Sequence, residues 1–61
     1  MEKFGLYNFK ILKHPVSNKW MYRIIKDDEN LLRDSTETFE YEGIARFAAI
    51  GHISLLEQGK G

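Results

Sequence analysis

The spacing of apolar residues changes once along this chain, and that change decides most of what the chain can become. Before about residue 34 the large apolar side chains recur at every second position, as a half-buried strand requires; from residue 41 they recur every three or four, which is one face of a helix. In "LYNFKILK", Tyr7, Phe9 and Ile11 fall on one side and Asn8, Lys10 and Leu12 on the other. "KWMYRIIK" places Trp20, Tyr22 and Ile24 on one face with Met21, Arg23 and Ile25 opposite, and its aromatic and β-branched content suits a pleated surface. Between them "HPVSN" predicts a hairpin loop, because Pro15 cannot donate to a central ladder and Ser17 and Asn18 favour turns. "DDEN" predicts the next turn and "LLRDS" a short third strand, in the register that points Leu32 inward and Arg33 outward.

The helical spacing predicts a helix over 41–57. At about 100° per residue, Tyr41, Ile44, Ala45, Ala48, His52 and Leu55 share one face, flanked by Gly51, Ala49 and Leu56. Gly59 supplies the positive φ that commonly ends a helix. Glu40 and Glu42 suit the positive end of the helix dipole, although no capping box precedes them. Ile50 and Ile53, with Phe47 at the boundary, are then left on the side away from the sheet, where a second copy of the chain would cover them. The fold expected is α+β: a three-stranded antiparallel meander with one C-terminal helix packed on one face, forming a single domain over 1–61. Its expected core is Phe9, Ile11, Trp20, Tyr22, Ile24, Leu32, Phe39, Ile44, Ala45, Ala48 and Leu55.

A 61-residue domain buries only roughly 60% of the surface of its unfolded chain, so its core is small. There is no cysteine to add a disulfide or a thiolate zinc site, which leaves packing or oligomerisation as reinforcement. No stretch reaches the ~20 apolar residues that cross a bilayer, and the amino terminus lacks a signal-peptide pattern; a soluble cytoplasmic protein with no membrane partner is expected. Formal net charge is zero but unevenly spread. Residues 1–26 carry six basic side chains against Glu2, a net of +5, and residues 27–61 carry three against eight acids, a net of −5. A basic first half can meet a polyanion, whereas charge runs are more often solvated faces.

Few residues suggest reaction chemistry. His52 falls on the predicted inner face, where a hydrogen bond to a carbonyl or a threonine would satisfy it, and His14 precedes Pro15 in a turn. Asp27, Asp28 and Glu29 are consecutive, without the alternating ligands and central glycine of a calcium loop. No glycine-rich phosphate loop, nucleophile elbow or Cys/His cluster is present, so neither an enzyme nor a cofactor is expected.

"KWMYRI" and "FEYEGIA" resemble the corresponding parts of plant ethylene-response-factor DNA-binding domains and of the arm-binding domains of tyrosine integrases. In those families a helix alanine follows a phenylalanine by six positions, as Ala45 follows Phe39. That resemblance, over residues 18–50, implies a module that lays its outward sheet face into the major groove; the basic side chains of this chain that such a DNA-binding module would use are Lys10, Lys13, Lys19, Arg23 and Arg33. Against it, the outward face mixes Lys10 and Arg23 with Leu12, Met21 and Ile25 where those families concentrate arginine. The order of elements also resembles small bacterial domains of the YegP-like type, and HicB-like antitoxins, whose proline-glycine turn is missing here. The leading expectation is a non-enzymatic protein-interaction module that pairs with itself or another protein through Phe47, Ile50 and Ile53 or through Leu12, Met21 and Ile25. DNA binding is the second.

Overall fold

The computed structural model describes residues 1–26 and 31–59, so the turn expected at 27–30 lies outside the described residues. Four strands, β1 (Glu2–Phe4), β2 (Tyr7–Lys13), β3 (Trp20–Lys26) and β4 (Leu31–Asp34), lie side by side in chain order, and one helix, α1 (Glu42–Glu57), packs across one face. All three pairings are antiparallel. The α+β class and the helix bounds agree with the change in apolar period. Among the described residues the strands number four rather than three. Gly5, at φ 60, occupies the first position of a two-residue turn, as in type II′ hairpins, and lets Glu2–Phe4 fold back onto Tyr7–Phe9.

The second hairpin closes through the expected loop. His14 Nδ1 accepts hydrogen bonds from the backbone N–H groups of Val16 and Ser17, and Asn18 takes the left-handed conformation at φ 61. Phe9, Ile24 and Ile53 are the largest fully enclosed side chains, and Tyr7, Tyr22 and Ala49 complete the core they form. Ala45 and Ala49 carry no exposed surface, so the helix backbone sits close on β2 and β3.

Two expected orientations are corrected. Leu32 pairs with Ile25 and Arg33 with Ile24, and since residues opposite each other share a face, Leu32 points away from the helix while Arg33 lies on the helix side. Leu31 is the leucine that packs on the core, and Leu32 is 56% exposed. This is the one-residue slip that inverts every side chain of a strand.

The helix is also turned about its axis relative to expectation. Its buried row is Ala45, Ala49 and Ile53, with Ile50 partly buried against the same core, while Ile44 and Leu55 are exposed. The row Ala45, Ala49 and Ile53 sets two small residues and one isoleucine over β2 and β3, the strands on which α1 packs, and the unforeseen strand β1 lies beside its flank. It widens the sheet on one side, and α1 is tied to that side at both ends: Arg46 pairs with Glu2 at 2.9 Å, and the Leu6 N–H donates to Glu57 at 3.3 Å. The flank carrying Arg46, Ile50 and Glu57 therefore faces β1, and the opposite flank turns outward.

Candidate functional site

On that opposite flank the chain between β4 and α1 makes a short detour. The Ser35 N–H donates to the Tyr22 carbonyl at 2.9 Å, the Tyr22 N–H donates to Ser35 Oγ at 3.2 Å, and Ser35 Oγ donates to the Glu37 carbonyl at 2.9 Å. Phe39 then rejoins β3 through two backbone hydrogen bonds with Trp20, at 2.9 and 2.8 Å. Residues 36–38 bow out from the sheet between these anchor points, and a groove of about 510 Å³ opens between the bow and the helix. Thr36, Glu37 and Phe39 line one wall, Ala48, Gly51, His52 and Leu55 the other, with Tyr22 at its base.

The floor is held rigidly. Tyr22 and Phe39 stack with ring centroids 6.2 Å apart, His52 meets Tyr22 edge-on, and the Tyr22 hydroxyl lies 2.8 Å from His52 Nδ1. Burial, and to a smaller extent the carboxylate of Glu37, push the Tyr22 phenol above its ordinary pKa, so it stays protonated. In the tautomer with its hydrogen on Nε2, His52 accepts that proton donor. The partner of His52 is thus a tyrosine on the sheet, not the carbonyl or threonine its position suggested. Among the described residues no three histidine or acidic side chains gather as they would around a metal ion.

The outer face of α1 continues the groove. Phe47 is 79% exposed, Ile44 55% and Leu55 47%, and with Gly51 they fall within about 80° of one another around the helix. Large apolar groups on a protein this small are an open surface of consequence. Gly51 sits in the middle of the helix, where glycine costs about 1 kcal/mol relative to alanine, yet a Cβ there would meet nothing within 4 Å. Packing inside the chain does not require this glycine.

Of the residues expected on an exposed helix ridge, Phe47 alone is there. Ile53 is fully buried and Ile50 partly so, for the rotation described above. Leu12, Met21 and Ile25 do share the outward sheet face, but Met21 is only 6% exposed and the other two are half-buried. The five basic residues are dispersed. Lys10 and Arg23 lie on the outward face, Lys13 and Arg33 on the helix side, and Lys19 in the loop. Arg23 makes two hydrogen bonds to Asp34 at 2.7 and 3.0 Å, Lys19 pairs with Glu40, and the ammonium of Lys13 lies 4.8 Å from the Trp20 ring centroid. The sequence signal for this exposed face was a repeat of spacing four, Gly43, Phe47, Gly51, Leu55, in which apolar and glycine positions alternate.

No described helix is long and apolar enough to cross a membrane. Comparison with protein-family models, with curated proteins and with solved structures finds no match to this chain.

Proposed function

We propose that the chain is a non-enzymatic protein-interaction module that takes a partner polypeptide on the outer face of α1 and in the groove beside it. The observation that carries this reading is the continuity of the two: Phe47, Ile44 and Leu55 stand open to water, and Leu55 also forms one lip of the groove. Concave apolar surface beside exposed aromatic and aliphatic anchors is the composition of an interface centre. Thr36 and Glu37 on the bowed wall, with His52 opposite them, give the groove polar side chains to fix an occupant's orientation.

The DNA-binding alternative draws less support. A phosphate-binding face needs several unpaired cations side by side, and here Arg23 and Lys19 already answer to Asp34 and Glu40 while Arg33 lies on the opposite side of the sheet from Lys10.

A titration of the isotopically labelled protein with a panel of amphipathic helical peptides, and separately with mixed duplex DNA at two salt concentrations, tests the proposal. We expect saturable amide shifts at Ala48, Gly51, His52, Leu55 and residues 36–39 with peptides carrying a large apolar anchor. Shifts confined to Lys10 and Arg23 on adding DNA, lost steeply with salt, would reverse the order of the two readings.

A further inference from the structure

Along α1 one row of residues spaced by four runs Gly43, Phe47, Gly51, Leu55. Residues four apart form one of the surface ridges of a helix, and two such ridges align when helices cross at about −50°. In this row each large side chain is preceded by a gap. A Cβ at either Gly43 or Gly51 would meet nothing within 4 Å, so both gaps open to solvent rather than being filled from within the chain. Phe47 and Leu55 are the exposed projections that alternate with them.

Such a row is complementary to itself when reversed. If two copies of α1 lie antiparallel with a two-fold axis passing midway between Phe47 and Gly51, then Phe47 of each copy falls on Gly51 of the other. The same operation sets Leu55 over the second copy's Gly43, so every projection meets a gap. A two-fold axis makes the interface isologous, and each match is made twice.

We propose that the occupant of this face is a second copy of the chain, docked as an antiparallel helix pair with Phe47 seated over Gly51 of its partner. This rests on the reading of α1 as an interaction surface and names what that surface binds. The choice accounts for a mid-helix glycine that the isolated fold does not use: glycine is the residue that lets another side chain approach the helix backbone. The area is small. Ile44, Phe47 and Leu55 together leave on the order of 300–400 Å² in water, taking 150–250 Å² for a whole aromatic side chain. The two-fold doubles this to roughly 600–800 Å², below the standard size of specific interfaces, so the dimer is a weak one.

Sedimentation equilibrium of the full chain from about 10 μM to about 1 mM, a range suited to a small interface, tests the proposal. The parent should convert from monomer to dimer over this range. Phe47→Glu should remain monomeric while unfolding as cooperatively as the parent, because its side chain is solvent-exposed. Gly51→Leu should also remain monomeric, and no less stable, because it fills the gap that Phe47 would enter. Leu32→Glu, on the exposed outward sheet face, should dimerise like the parent. A parent that stays monomeric throughout overturns the second copy as occupant; if that monomer still gives saturable shifts with the peptide panel the interaction module stands, and if it gives none both fall. Dimers that survive Phe47→Glu and Gly51→Leu but are lost in Leu32→Glu overturn the helix face in favour of the sheet.

Discussion

Tyr22 joins the core to the groove. Its ring packs among Phe9, Ile24 and Ile53, and its hydroxyl reaches the groove wall at His52. Burial holds the phenol above its ordinary value, so the folded state keeps its proton longer than the unfolded chain does. The sign follows: the contribution is fully present below pH 10.0, where the phenol of the unfolded chain titrates, and is lost as pH rises through the higher folded value. Denaturant titrations across the alkaline range should therefore show a fall in stability that is absent in Tyr22→Phe. The same variant gives up the hydrogen bond to His52 at neutral pH, at a cost of about 1 kcal/mol. An alkaline fall of the same size in parent and variant would assign it to another group. Arg23 and Asp34 act in the opposite direction on pH. The guanidinium hydrogen bonds hold the Asp34 carboxyl below the usual range, so the small contribution of this exposed pair is lost as pH falls through the lowered value.

The elements were legible in the sequence wherever a period and a turn agreed. β2, β3 and α1 follow from alternation that gives way to helical spacing, and Pro15, Ser17 and Asn18 marked the loop between the first two. β1 was missed because three residues are too few to show a period; the signal lay in the turn, where Gly5 allows a two-residue reversal. By helical period alone Ile44, Ala45, Ala48 and Leu55 look inward-facing; Ala45 is fully buried and Ala48 packs at the edge of the core, while Ala49 and Ile53 take the places expected of Ile44 and Leu55. The placement is testable at Ala49, which has no exposed surface. Ala49→Leu should overpack the helix against the sheet and destabilise by about 1–3 kcal/mol in denaturant unfolding, whereas Ala48→Leu, with its side chain at the groove wall, should cost less. Equal midpoints for the two variants would contradict this helix rotation.

For the whole molecule, one sheet face is covered by α1 and stability must come from a core of few large side chains. α1 commits its inner row to that core, while its outer row carries Phe47, the most exposed of its large apolar side chains. In the proposed dimer this outer row is covered by its own counterpart from a second copy. It can be observed directly by mixing isotope-labelled and unlabelled protein at millimolar concentration and recording only the nuclear Overhauser effects that pass between copies. Contacts from the Phe47 ring protons to the Gly51 α-protons of the other copy, accompanied by Leu55 methyl contacts to Gly43, are the predicted result. Contacts between copies that run instead from Met21, Ile25 or Leu32 on the outward sheet face, or none at all at that concentration, would contradict the account.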